Sequence, residues 1–321
     1  MPSADKDVQL VLATQAERET RDLLTAEAWG AGLSREAYLR RERRLRALAV
    51  PRLDMRCWLL VDARRRVLSS CETFAFPSVL RADGAENWGR SFGVASVFTE
   101  AALRGQGHAT RALDLLCQAL AEETAGHAVV LYSDVGASQY ARSGFEARAA
   151  YDWCWPAAEA GASSNAAYFS EEALGWRWAA QPIPGGRFVL HPSADTLEWF
   201  LERERVYCEE LGRPRPKACG AALGNSLALW YAQPKDERLW LHWLDAKDAD
   251  SCRALVQAAR IVAREASLSE VRLWEDMDGV PSEGLEGGRR EKRSGGLPML
   301  RPLDGRVRAQ DWRRIARVLW V

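Results

Sequence analysis

The stretch Val94-Ala-Ser-Val-Phe-Thr-Glu-Ala-Ala-Leu-Arg-Gly-Gln-Gly-His-Ala109 decides how the chain reads. An apolar strand ends in a short turn. Arg104-Gly-Gln-Gly-His-Ala109 then leads into a helix expected over 109–122, with Leu113, Leu116 and Leu120 on one face. Gly105 and Gly107 carry no side chain, so backbone can approach a ligand closely. The first amides of a helix lack intrahelical partners and its dipole adds positive potential, so a pyrophosphate fits there. The spacing is not that of a P-loop, which needs GxxxxGK[ST]. Nor is it a dinucleotide fingerprint, which needs a third glycine.

Working outward, the apolar run 128–132 (AVVLY) reads as a buried parallel strand. A short helix follows over 136–143, ending at Gly144, and then a strand over 145–149. Upstream, strands are expected over 8–13, 57–61, 67–74 and 92–99. A helix over 16–28 stops at Trp29-Gly30, and Ser34 caps a second helix. This order means α/β or α+β with a mixed, partly parallel sheet. Residues 152–192 are rich in small residues, glycine and proline and read as a connection. Beyond them a helix over 193–211, strands over 226–231 and 238–244, an amphipathic helix over 249–266 and a strand over 271–274 echo the strand–strand–helix–strand order of the first half. The segment 279–297 reads as a charged, glycine-rich loop, and the closing DWRRIARVLWV as amphipathic or a final strand.

Composition narrows the chemistry. Over 321 residues, 44 lysines and arginines balance 44 aspartates and glutamates, which argues against a general nucleic-acid binder. With 47% apolar residues the chain can bury substantial cores. Fourteen tryptophans against four histidines make an all-histidine metal site improbable, so no metal is expected and acid–base work falls to carboxylates, tyrosine or cysteine. The seven cysteines form no CxxC pair and read as reduced core thiols. The N-terminus lacks the basic start and apolar run of a signal peptide, and no stretch approaches the roughly 18 to 20 apolar residues that span a bilayer. The expectation is a cytoplasmic protein with no membrane or nucleic-acid partner, monomeric or homodimeric. Between residues 40 and 66 ten arginines face three acids (Glu42, Asp54, Asp62). They read either as a solvated face with a hairpin tip or as counter-charge for an anionic cofactor.

Arg104, Gly107 and Ala109 resemble the acetyl-CoA signature of the GCN5-related N-acetyltransferase (GNAT) superfamily: arginine or glutamine, two residues, glycine, one residue, then glycine or alanine. After the next strand, Tyr140-Ala-Arg-Ser-Gly144-Phe145 resembles that superfamily's tyrosine–three residues–glycine–phenylalanine element. This resemblance covers roughly residues 8–150. Cys71-Glu72-Thr73, Ser96-Val97-Phe98-Thr99, Tyr132-Ser133-Asp134 and Trp29-Gly30, with a long C-terminal extension, further resemble the fungal lysine N6-acetyltransferase-like group.

The resemblance implies a GNAT domain over 1–155, a connecting segment over 156–192, and a degenerate GNAT-like α/β lobe over 193–321. The last has no Arg-x-x-Gly-x-Gly/Ala loop and is expected to bind no CoA. Acetyl-CoA is the implied cosubstrate. Val97, Phe98 and Thr99 would offer backbone to pantetheine and thioester. Arg104, Gly105, Gln106, Gly107, His108 and Ala109 would hold the pyrophosphate, and Ser133 stands where many relatives place an asparagine on the cofactor. Tyr140 would protonate the leaving thiolate, a role its ordinary pKa of about 10 suits. Candidate bases for the acceptor amine are Glu72, Glu100, Asp134 and His108. Glu72 is favoured, for recognising or deprotonating the amine, with a buried structural pair as the alternative, because a carboxylate on a central strand needs a reason to be there. The implied function is acetyl transfer to a primary amine, the side chain of free lysine or a related small molecule, by direct attack in a ternary complex. Peptide acetylation and non-catalytic acyl-CoA binding are the alternatives.

Overall fold

The computed structural model describes residues 8–30, 32–123, 126–275 and 280–320. In chain order it gives β1 (Gln9–Leu12), α1 (Gln15–Trp29), α2 (Arg35–Arg52), β2 (Arg56–Val61), β3 (Val67–Ala82) and β4 (Ala85–Phe98). Next come α3 (His108–Ala121), β5 (Gly126–Ser133), α4 (Ser138–Ala141) and β6 (Glu146–Ala147). β7 (Tyr151–Pro156), β8 (Ala167–Phe169), α5 (Leu174–Ala179), β9 (Phe188–Leu190), α6 (Ala194–Leu211), β10 (Gly220–Leu223), β11 (Ser226–Gln233) and β12 (Arg238–Asp245) follow. The chain closes with α7 (Ala249–Glu265), β13 (Glu270–Trp274), β14 (Arg289–Lys292), β15 (Leu297–Pro302) and β16 (Trp312–Arg313). The α/β class expected from sequence is what forms. Among the described residues no helix is long and apolar enough to cross a membrane.

Two compact units emerge: residues 1–149 with 294–312, and residues 150–293 with 313–320. The first sheet runs β1-β2-β3-β4-β5-β15-β6, antiparallel except where β4 meets β5 in parallel across the α3 crossover. Its core lies between that sheet and α3: Trp58, Cys71, Phe92, Leu113, Leu116, Val129 and Met299 are buried together. β3 and β4 join through a two-residue turn, Asp83-Gly84, with φ of 55° and 75°. An Asp-Gly pair tolerates these left-handed angles, which match the twist of the strands it joins. That hairpin extends both strands well beyond the expected 67–74 and 92–99.

The second sheet runs β14-β7-β13-β12-β11-β10-β8, with β12 and β13 parallel across the α7 crossover. Its order repeats that of the first unit: antiparallel strands, a helix, then a parallel return. Each sheet also takes a strand from a distant stretch of sequence. β15 inserts between β5 and β6, and β7 between β13 and β14.

These insertions redraw the expected segments. Residues 150–155 belong with the second unit, and 156–192 is no simple connection, because it supplies β8, α5 and β9. Residues 294–312 pack in the first unit rather than in the C-terminal lobe. The stretch expected as a loop over 279–297 contains β14, while its first residue lies outside the described residues. All seven cysteines are free and buried, as expected, and burial pushes every thiol above its ordinary pKa.

Candidate active site

The site begins with a parting of strands. β4 and β5 stay paired as far as Val94↔Leu131. β4 then runs on to Phe98 against β3, while Tyr132 and Ser133 of β5 follow β15 on the other side. Residues 91–94 are buried, whereas 95–99 are all partly exposed along the opening. Just beyond the parting, Ser70↔Phe98 and Glu72↔Ala95 place one extra residue on β4, a bulge, and Ser96 there has φ 54°. A bulge re-aims backbone groups that a regular ladder would engage.

An arginine from outside the sheet holds this bulge. Arg21, in the middle of α1, is 5% exposed. Its Nη2 donates to the Ser96 carbonyl at 2.9 Å, its Nε to Ser70 Oγ at 3.0 Å, and its Nη1 to Glu72 Oε1 at 2.8 Å. Burying a charge on either side is costly unless the two are paired and hydrogen-bonded, which these are. Glu72 is therefore the counter-ion of Arg21. Its carboxylate, expected as the amine's base, is thus engaged by a buried guanidinium that fixes the bulge. Sequence reading missed Arg21 altogether, since a helical arginine carries no local sign of facing inward.

Glu72 and Tyr140 also lie on opposite faces of the sheet. Cys71 packs in the α3-side core that Tyr140 leans on. The next residue, Glu72, points the other way, towards α1. Tyr140 meets Phe145 edge-on at 6.4 Å. Burial raises the Tyr140 phenol above its usual pKa, and the charge of Asp134 and the neighbouring Cys71 add to the effect.

The glycine loop has the geometry its sequence implied. Gly105 and Gly107 have φ of 76° and 82°, and a β-carbon at either would meet nothing within 4 Å. Gly107 is the N-cap of α3 and gives the helix no side-chain cap. Arg111 N–H opens the α3 ladder by donating to the Gly107 carbonyl at 3.0 Å, so the amides of His108 and Ala109 precede it. Arg104 turns back, its Nε donating to the Thr99 carbonyl at 3.0 Å, and Gln106 Nε2 donates to the Ala102 carbonyl. These two side chains brace the loop and leave the backbone to face a ligand. Thr99 Oγ1 donates to Ser69 Oγ, which in turn donates to the Phe98 carbonyl, and Phe98 packs against Trp29 at 5.6 Å. Val97 leans on the α3-side core.

Ser133 departs from expectation. Its hydroxyl donates to the Gly136 carbonyl at 2.5 Å and accepts from Val135 N–H at 3.2 Å. The group expected to face the cofactor instead closes its own turn. Asp134 accepts from Gly296 N–H at 2.8 Å and so pins the approach to β15. The arginines of 40–66 are largely engaged within the protein: Arg46 with Asp22, Arg56 with Asp54 and Glu123, and Arg65 with Glu17. This fits the structural reading of that segment, not the cofactor one.

Beside the bulge lies a pocket of about 100 Å³. Leu24, Leu59, Leu68 and Phe98 make it apolar, Arg21 and Ser70 line it, and Glu17 and Glu100 add two carboxylates.

The corresponding helix of the second unit ends differently. α7 begins at Asp248, whose carboxylate accepts from Ser251 N–H at 2.7 Å. The helix end that is open at Gly107 in the first unit is thus capped by the protein's own anion in the second.

Residues 178–320 match the family model described as the LYC1 GNAT-like C-terminal domain. No curated protein matches the chain. Among solved structures, a probable N-acyltransferase from Enterococcus faecalis V583 aligns over 93% of this chain and 73% of its own, with TM-score 0.58 at 11% identity. A GCN5-related N-acetyltransferase from Kribbella flavida aligns over 95% and 73%, with TM-score 0.55 at 16% identity. Eis1 from Mycobacterium abscessus aligns over 92% and 73%, with TM-score 0.55 at 13% identity. At such identities the likeness is one of fold. The chain thus has the GCN5-related N-acetyltransferase fold, and the match of residues 178–320 bears out its resemblance to the LYC1-like group.

Proposed function

We propose that the first unit is an acetyl-CoA-dependent N-acetyltransferase acting on a primary amine, the side-chain amine of free lysine or a related small molecule. The observation that carries this reading is the parting of β4 from β5 beside an α3 N-terminus left uncapped at Gly107. An extended pantetheine suits the free edge of residues 95–99, and a pyrophosphate suits the amides of residues 105–109. When bound, the thioester supplies an electrophilic carbonyl.

The chain's own residues do the rest. The Arg21-held bulge fixes the backbone around Ser96 and Val97. Tyr140 keeps its proton at neutral pH, because burial raises its pKa, and can give it to a departing thiolate. The pocket beside the bulge accepts an alkyl stem on Leu24, Leu59 and Phe98, with Glu100 placed to meet an ammonium group. Of the candidate bases, Glu72 is engaged by Arg21 and Asp134 by Gly296, which leaves Glu100, His108 or water.

The test is calorimetric titration with acetyl-CoA, paired with turnover on free lysine, other small amines and lysine peptides. Binding with turnover on small amines supports the proposal. Turnover on peptides alone, or binding with no turnover on any amine, rejects it.

A further inference from the structure

α1 turns two charged neighbours into the protein. Neighbours on a helix point about 100° apart. Arg21 reaches β3 and β4, while Asp22 faces α2, and they are 5% and 1% exposed. Each buried charge needs a partner of opposite sign. Arg21 has Glu72. Asp22 has Arg46 of α2, whose Nη2 donates to Asp22 Oδ1 at 2.8 Å. Arg46 is itself mostly buried, and Glu42 Oε2 stands 3.9 Å from the same Nη2. Glu72, Arg21, Asp22, Arg46 and Glu42 thus alternate in sign through the first unit.

The middle of this row is unevenly spaced. Arg21 Nη1 lies 2.8 Å from Glu72 Oε1 but 3.8 Å from Asp22 Oδ1. Two buried carboxylates flank one guanidinium, which is drawn up to only one of them. A swing of about 1 Å would bring Nη1 to hydrogen-bonding distance from Asp22. It would also carry the guanidinium off Glu72 and off the Ser96 carbonyl that it holds. Arg46 stands against that swing, because it already occupies Asp22 Oδ1.

We propose that Arg46 is a positioning residue. By neutralising Asp22 it keeps Arg21 on Glu72 and on the Ser96 carbonyl, and so fixes the β4 bulge. Asp22 is the competitor that Arg46 silences. The effect on acetyl transfer rests on the acyl group lying at the bulge, as in the proposed function. There a misplacement of about 1 Å can cost about a hundredfold in rate.

The test compares the native chain with Arg46→Met, Arg46→Lys, and Arg46→Met combined with Asp22→Asn. Carbonyl-labelled serine with nitrogen-labelled valine gives two correlated signals, for Ser96-Val97 and Ser78-Val79. The second is an internal control of folding. In Arg46→Met the Ser96-Val97 signal should shift and the Ser78-Val79 signal should stay. At saturating substrates, kcat per folded molecule should fall at least about tenfold, with acetyl-CoA affinity little changed. Adding Asp22→Asn removes the competitor and should return both readouts towards native. Arg46→Lys keeps the charge and should lie much closer to native than Arg46→Met. If Arg46→Met does not fold, Arg46→Gln, which still donates to Asp22, should show the same shift in smaller measure. An unmoved Ser96-Val97 signal in the folded variant would overturn the proposal, since Asp22 would then have taken up a proton and left Arg21 in place. So would a shift that Asp22→Asn fails to reverse. A reversible shift with kcat unchanged would uphold the positioning and reject the acyl group's place at the bulge. Absence of transfer in the native chain, with the same reversible shift, would reject the proposed function alone.

Discussion

Nη1 of Arg21 lies 2.8 Å from Oε1 of Glu72, with both side chains buried, and the same guanidinium reaches the carbonyl of Ser96 in the β4 bulge. One ion pair thus ties α1, β3 and β4 together at the place where an acyl group would lie. Replacing Arg21 by Met leaves Glu72 as an uncompensated buried charge and should cost about 3–5 kcal/mol, read as a loss of urea midpoint. Glu72→Gln separates the two roles considered for Glu72. As counter-ion, its loss should lower stability while leaving the pH profile of kcat/KM in place. A vanished acid-side limb with unchanged stability would restore it as the base.

Tyr140→Phe removes one oxygen from a half-buried ring and leaves its packing on Phe145 intact. Turnover should fall well over tenfold, with acetyl-CoA affinity little changed, because the phenol acts on the leaving group and not on binding. Unaltered kcat would remove Tyr140 from the mechanism.

Gly107→Trp tests the anion cradle. A side chain there meets no protein atom near its β-carbon, so the fold should tolerate it apart from the left-handed backbone, a strain of about 1–2 kcal/mol. Calorimetry should then show acetyl-CoA binding abolished, while thermal unfolding shifts by only a few degrees. Retained affinity would place the pyrophosphate elsewhere.

Acid should weaken both units. Burial lowers the pKa of His127 in the first and His242 in the second, so each is neutral when folded. Below about pH 6.5 the unfolded chain binds protons that the folded chain refuses, so stability falls as pH falls, by at most about 1.4 kcal/mol per pH unit for each histidine. Buried Glu204, its carboxyl pushed up to about 8 by desolvation, acts in the opposite sense in this window, so the urea midpoints between about pH 7.5 and 5.5 are taken on the Glu204→Gln chain, where they should decline. A flat profile would mean that at least one ring takes up its proton in the folded state.

The sequence was most legible where chemistry and local conformation coincide. Gly105 and Gly107 announced both a left-handed turn and a close backbone approach, and α3 and α7 carried clear apolar stripes. The bulge at Ser96 left no such mark, because it depends on an arginine far away along the chain. β15 was hidden for a related reason. Pro298 and Pro302 make it look unlike a strand, and its neighbours β5 and β6 come from the opposite end of the sequence. β7 was hidden in a stretch read as the connection between lobes. The Asp83-Gly84 hairpin, by contrast, is legible in its dipeptide, which favours the left-handed turn found there. Ser133 shows the limit of reasoning by resemblance, since it was expected on the cofactor and its hydroxyl closes its own turn.

Acetyl transfer itself is tested most directly by incubating the native chain with isotopically labelled acetyl-CoA and free lysine, then measuring labelled acetyl-lysine by mass spectrometry. The account predicts product labelled on the side-chain nitrogen, in large molar excess over protein and lost in Tyr140→Phe. A chain that binds acetyl-CoA but yields no acetylated lysine or other small amine would contradict it.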